Sequence, residues 1–291
     1  MTAVAFDAAD KYNKSRRTLP SSEFLYVVFE KMKVISGPAA FALGLSALAG
    51  LSTGIGSAAA LFIKKESPVF RALIMSFSAG VMAFGSLAEI LSKSRGALSE
   101  CGGMNALLIP YASFFGGVML MRLIERFIPD VTASDGKNLK TGVFTALAIA
   151  IHNFPEGIAT FISSLDDDSA AFAVTFAVAL HNIPEGIAAF MPVYYSTKSR
   201  KKAFLWSFFS GVAEPLGALI GCLLLMPLMN GYVFGVMFGS VAGIMAYISF
   251  ATLLPDALEA ERSSGGRIRP AIPGFILGMA TMAASLVLFE I

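Results

Sequence analysis

A succession of apolar runs, each about long enough to cross a ~30 Å hydrocarbon layer, constrains this chain more than any other feature. Eight runs are read, over residues 39–62, 71–92, 104–124, 142–163, 170–194, 203–226, 231–255 and 271–290. Water cannot satisfy backbone groups inside lipid, so each run crosses as a helix or as a strand of a closed barrel. The short alternating segments of a barrel are absent. The expected fold is an all-α polytopic membrane protein, with residues 39–291 forming one eight-helix transmembrane domain. Charged residues make up 14% of the chain, against about 25% in an ordinary soluble domain. The net charge of +2 offers no basic surface to a nucleic acid, so the lipid bilayer is the expected surrounding.

Residues 1–38 are polar, and the stretch 23–34 fits either an interfacial helix or a disordered tail. No early apolar core precedes a small-residue cleavage site, so no signal peptide is expected. Cys101 and Cys222 are too far apart in sequence for a zinc-finger spacing and give no disulfide framework. Packing is the expected role of Cys222.

Basic residues between the runs set the orientation. Lys64, Lys65 and Arg71 follow the first run; Arg122, Arg126, Lys137 and Lys140 the third; Lys198, Arg200, Lys201 and Lys202 the fifth; Arg262, Arg267 and Arg269 the seventh. The opposite loops hold only Lys93 and Arg95, together with the acidic run Asp166–Asp168. The positive-inside rule therefore places the first set in the cytoplasm and both termini on the other side. Lys31 and Lys33 oppose this mildly. The acidic run is expected to be a solvated turn.

Two internal repeats are visible. HNFPEGIATF at 152–161 and HNIPEGIAAF at 181–190 differ only at Phe154/Ile183 and Thr160/Ala189. AGVMAFGSLAEIL at 79–91 aligns with AGIMAYISFATLL at 242–254, and Gly50 and Gly56 echo Gly211 and Gly217. The second repeat relates spans 2 and 7, which run in opposite directions. Spans 1–3 and 6–8 thus form an inverted pair around spans 4 and 5, a 3+2+3 arrangement suited to alternating access about a midplane site.

The chain's two histidines, His152 and His181, each open an H-N-x-P-E-G motif. Histidine at i and glutamate at i+4 share a helix face, and proline at i+3 frees a carbonyl and bends the helix. Because spans 4 and 5 are antiparallel neighbours, His152, Asn153, Glu156, His181, Asn182 and Glu185 are expected to meet at one depth. Glu214 in span 6 adds a third carboxylate, and Glu89 in span 2 a fourth nearer the extracellular end. An isolated charge at the bilayer centre costs roughly 2.5–3.5 kcal/mol on insertion scales, and spans 4–6 hold no basic partner. A divalent cation offsets that cost. Imidazole, carboxylate and amide donors suit zinc, iron, manganese and cobalt; the absence of thiolate disfavours a copper(I) trap. No prosthetic group is implied.

These motifs, with A-E-P-L-G at 213–217 following them, resemble those of the ZIP (Zrt-, Irt-like) metal transporters, closest to the bacterial broad-specificity branch. The resemblance covers nearly all of residues 39–290. It implies eight helices, external termini, uptake into the cytoplasm from outside or from an organelle lumen, and often a homodimer. It also implies a binuclear site. The first metal position would use His152, Glu156, His181 and Glu185 with Met82 as a soft neighbour. The second would use Asn153, Glu156, Asn182, Glu185 and Glu214, so that Glu156 and Glu185 bridge. Glu89 matches an additional entrance position. Spans 1, 4, 5 and 6 are expected to slide against spans 2, 3, 7 and 8. The chain departs from relatives in having no histidine over 127–141 and Ala251 and Thr252 before Leu253-Leu254-Pro255, where an acid is common.

The glycines at 231, 235, 239 and 243 recur on one face of span 7 and are expected to serve static packing more than sliding. Two other functions remain open at this level. A membrane-embedded zinc-dependent hydrolase would need an activated water, but H-E-x-x-H is absent and no separate general base is visible. A proton-coupled carrier of an organic solute would use the same acids.

Overall fold

The computed structural model describes residues 37–62, 67–99, 102–127, 139–164, 168–225, 230–265 and 269–290. The polar tail expected over 1–38 lies outside them except for Gly37 and Pro38, which open the first helix; Cys101, Asp166 and Asp167 also lie outside.

The described residues form eight helices, one for each apolar run: α1 (Gly37–Leu61), α2 (Pro68–Leu98), α3 (Gly103–Phe127), α4 (Leu139–Ser163), α5 (Asp168–Thr197), α6 (Arg200–Ile220), α7 (Gly231–Ser263) and α8 (Ala271–Glu290). Their ends follow from local chemistry. Proline at the first position of α2 gives up an N–H that has no helical partner there anyway. Asn230 caps α7 by accepting from Val233 N–H at 2.9 Å. Lys198, at φ 53°, takes the left-handed conformation that stops α5 and lets α6 begin at Arg200.

Helices α2 and α7 outrun the apolar stretches read from sequence. Lys93 and Arg95 therefore stand on the last turns of α2 and not in a loop, and Arg71 stands on its first. Both helices contain a wide π turn, Gly85–Ile90 in α2 and Ile248–Leu253 in α7. These turns occupy equivalent positions of the repeat that aligns 79–91 with 242–254. The hydrogen bonds beside them are equivalent too: Ser86 Oγ donates to Ala242 O and Ser249 Oγ to Ala79 O, each at 2.6 Å. Pairing an inserted turn with the same cross-helix bond in both halves is what an inverted repeat of one ancestral unit produces, and it argues against chance similarity of apolar sequence.

The helices divide into two blocks, one of α1, α4, α5 and α6 and one of α2, α3, α7 and α8. Wherever an added Cβ on a described glycine would come within 3 Å of another helix, the two helices belong to the same block. Gly50 faces Gly211, and Gly56 and Gly217 meet the backbones of Ile183 and Phe154. In the other block Gly80 and Gly243 meet the backbones of Phe275 and Phe114, and Gly278 and Gly117 those of Phe77 and Ser240. Three of the span 7 glycines pack inside one block: Gly235 abuts Leu98, Gly239 abuts Pro110 and Ser113, and Gly243 abuts α3. Close backbone approach maximises dispersion where lipid supplies no hydrophobic drive. Contacts between blocks are made by side chains, such as Ser78 Oγ donating to Pro184 O at 3.2 Å. Large apolar side chains on α1 (Leu48, Leu51, Ile55), α3 (Leu107, Phe115, Met119) and α8 (Ile272, Ile276) are exposed, as a lipid-facing belt requires.

Candidate metal centre

The two H-N-x-P-E-G motifs lie mid-helix in α4 and α5, which four residues, 164–167, join as antiparallel neighbours. Pro155 and Pro184 carry no N–H, so the Ile151 and Leu180 carbonyls lose their usual helical donors. Gly157 and Gly186 then admit a third and a fourth backbone. A Cβ on Gly157 would overlap the Glu214 carbonyl of α6, and one on Gly186 would overlap the Thr53 carbonyl of α1. Glu214 and Thr53 are equivalent in the repeat that relates Gly50 and Gly56 to Gly211 and Gly217.

The motifs interlock by crossed pairing. His152 Nε2 lies 2.9 Å from Glu185 Oε2, and His181 Nε2 lies 2.7 Å from Glu156 Oε1. Each imidazole therefore meets the carboxylate of the opposite helix, although the i, i+4 spacing also places a glutamate on its own. The asparagines are held by α6 and α1. Asn153 Nδ2 donates to Ser210 O at 3.3 Å and Asn182 Nδ2 to Ala49 O at 3.0 Å, and Ser210 and Ala49 are again repeat-related. Asn182 Nδ2 donates further to Glu214 Oε2 at 2.7 Å. With both amide nitrogens anchored, both amide oxygens are left over.

What remains unpartnered is a set of ligand atoms. His152 Nδ1, His181 Nδ1, Asn153 Oδ1, Asn182 Oδ1, Glu185 Oε1, Glu214 Oε1 and Thr53 Oγ1 are all buried and make no hydrogen bond. A buried polar group left without any partner costs roughly 1–3 kcal/mol, so atoms like these favour a bound ligand. Every one of these atoms carries a lone pair suited to a borderline or hard divalent cation. Among the described residues, no three His, Cys, Asp or Glu side chains already form a coordination sphere. The geometry explains this: each imidazole is turned toward one carboxylate.

Met82 and Glu89 reach the same place from the other block. A narrow crevice runs along α2, lined by Val81, Met82, Gly85, Glu89 and Ile90 with His181 and Glu185 opposite, and by Met245 and Met282 from α7 and α8. Met82 is fully buried, while Glu89 keeps 13% of its side chain exposed and pairs with Lys93. At the other end of α2, Arg71 forms an ion pair with Asp256 of α7, its Nε donating to Oδ2 at 3.0 Å, and stacks 4.6 Å over the Tyr195 ring of α5. Glu89, toward the α2 C-terminus, is the one lining residue that is not fully buried, and the Arg71–Asp256 pair lies at the opposite end of α2.

Sequence reading gave no site role to four further residues, although Thr252 stood out there as a departure where relatives carry an acid. Met245 and Met282 line the crevice. Thr53 and Thr252 are buried with unpartnered hydroxyls at the positions equivalent to Glu214 and Glu89. The repeats held the signal for the threonines: each acid outside the two motifs aligns with a threonine in the inverted half.

Eight helices in an inverted repeat, six of them long and apolar enough by length and composition to cross a membrane, with imidazole, carboxylate and amide groups gathered on α4, α5 and α6, define a multi-pass membrane carrier. Residues 130–286 match the family model for the ZIP zinc transporter. The chain is 44% identical to a zinc transporter ZupT of Lysinibacillus sphaericus over 272 residues, which are 87% of this chain and 99% of the relative. It is 48% identical to a zinc transporter ZupT of Streptococcus mutans, over 84% of this chain and 96% of the relative. It is 47% identical to a zinc transporter ZupT of Chlorobium luteolum, over 85% of this chain and 97% of the relative. The chain belongs to the ZIP zinc transporter family.

Proposed function

We propose that this protein carries divalent transition-metal ions, zinc foremost and iron, manganese and cobalt by the same donor chemistry, into the cytoplasm through the crossed His–Glu centre. The carrying observation is the set of buried, unpartnered nitrogen and oxygen atoms on His152, Asn153, His181, Asn182, Glu185 and Glu214. His152, Glu156, His181 and Glu185 hold the first metal, with Met82 beside it; Asn153, Glu156, Asn182, Glu185 and Glu214 hold the second. Glu89 receives ions in the crevice. The protein sits in a plasma or organelle membrane with both termini on the non-cytoplasmic side, and two copies associate as a homodimer.

The chemistry of each step belongs to this chain's residues. Glu89 draws a hydrated cation into the crevice, where Met82, Met245 and Met282 leave no room for its full water shell. His181 and Glu185, already at the inner wall, replace the lost waters. The glycine-tight packing within each block and the side-chain contacts between blocks support movement of α1, α4, α5 and α6 as one body. That movement carries the site toward the end that Arg71, Asp256 and Tyr195 cover. No enzymatic step is involved.

Uptake into proteoliposomes tests the reading. Wild-type protein is expected to take up zinc, and Glu156→Ala and Glu185→Ala to reach the membrane yet lose uptake. Wild-type rates in either variant refute the site.

A further inference from the structure

The carboxylate of Glu89 is engaged before any ion arrives. Glu89 lies inside the wide turn Gly85–Ile90, and Lys93, on the helix that resumes at Leu91, places Nζ 2.6 Å from Glu89 Oε1. The carboxylate is the more buried partner, with 13% of its side chain exposed against 33% for the lysine. Glu89 lines the crevice with His181 and Glu185, and Lys93 does not. The ammonium is the more exposed partner and stands outside the crevice wall, against the one lining residue that is not fully buried. A protonated lysine has no lone pair to offer a metal. It can only compete for the carboxylate and repel the ion.

The inverted repeat shows that this arrangement belongs to one end of the protein alone. On α7 the residue equivalent to Glu89 is Thr252 and the residue equivalent to Lys93 is Asp256, which Arg71 holds. An ordinary i, i+4 surface pair contributes little. This one differs because its acid is mostly buried and forms part of the wall of the crevice that leads to His181 and Glu185.

We propose that Lys93 is a tethered counter-cation that occupies Glu89 until a divalent ion displaces it, and so sets the metal concentration at which the crevice fills. The inference rests on the transport reading and on Glu89 as the receiving acid. Lys93 acts through Glu89 and is a positioning residue, not a ligand. Removing its charge strengthens ion capture; keeping the charge with another head group does not.

The test is initial zinc uptake by the full chain in proteoliposomes, measured against zinc concentration. Lys93→Met is expected to lower KM by about three- to tenfold, the scale of a half-exposed, partly screened charge pair. Lys93→Gln reports the same shift should methionine disturb α2, and Lys93→Arg stays near the wild-type KM. In a Glu89→Gln background the Lys93→Met change is expected to leave KM unmoved. An unchanged KM in both uncharged variants overturns the proposal, as does a shift that persists without the Glu89 carboxylate. A wild-type protein that moves no zinc overturns the transport reading itself, and that result is seen before any variant is compared.

Discussion

Gly157→Ala puts the smallest possible wedge between α4 and α6, and its effect can be worked out from the backbone. The new Cβ would lie 2.6 Å from the carbonyl carbon of Glu214 and 3.0 Å from its Cα, with the carbonyl oxygen closer still. Ordinary carbon contacts settle at roughly 3.5–4.0 Å, so the two helices have to part by about 1 Å. Backbone cannot yield as a flexible side-chain tip would. Overpacking of this kind costs about 1–3 kcal/mol, against which alanine recovers roughly 0.5–1 kcal/mol of helix preference over glycine. The net expectation is a loss of about 1–2 kcal/mol. Function should suffer more than stability. The displaced backbone carries Glu214, whose carboxylate faces Asn182 at 2.7 Å, and metal–ligand distances tolerate only about ±0.2 Å. Zinc uptake is expected to fall at least about tenfold, given that misplacing a group by about 1 Å can cost a hundredfold in rate. Gly116→Ala on α3 is the control, because nothing lies within 4 Å of its added Cβ. Unfolding in detergent and uptake in proteoliposomes, measured for both variants, decide the matter. If Gly157→Ala proves as stable and as active as Gly116→Ala, the close α4–α6 approach is not what shapes the site.

Glu89→Ala is expected to lower uptake or change metal preference without abolishing transport; complete loss in a metal-competition assay would place Glu89 in the core site. Ser86→Ala and Ser249→Ala remove equivalent buried hydrogen bonds at the two π turns, and each should cost about 0.5–1.5 kcal/mol in an unfolding titration. A large disparity between them would count against the structural equivalence of the two halves. Arg71→Ala leaves Asp256 without its ion-pair partner and removes the stack on Tyr195. A loss of about 1–3 kcal/mol is expected, only partly recovered by Arg71→Lys because lysine lacks the two-pronged head group; an unchanged unfolding midpoint for Arg71→Ala would contradict this role.

The sequence carried the helices because lipid leaves a long apolar run no other structure. It also pointed to a candidate site, since His152 and His181 open matching motifs in antiparallel neighbours, and the structure brings their side chains against Glu185 and Glu156. Helix ends were harder to read. Lys93 and Arg95 look like loop residues because hydropathy falls at Ser92, yet backbone hydrogen bonding continues through Leu98. The π turns at Gly85–Ile90 and Ile248–Leu253 leave no mark in the hydrophobic pattern and emerge only when the helices pack. The crossed pairing of His152 with Glu185 was equally hidden, because helical spacing serves Glu156 as well. Thr53 gave no signal of its own because a buried threonine ordinarily bonds within its own helix; the inverted repeat singles out Thr53 and Thr252 as the counterparts of Glu214 and Glu89.

X-ray absorption of zinc bound to the purified full chain tests the central claim most directly. A first shell of nitrogen and oxygen at about 2.0–2.2 Å, with imidazole scattering that disappears in the His152→Ala, His181→Ala double variant, is the predicted spectrum. Zinc held with no imidazole in its shell, or a spectrum unchanged in that variant, would contradict a metal centre built from the two motifs.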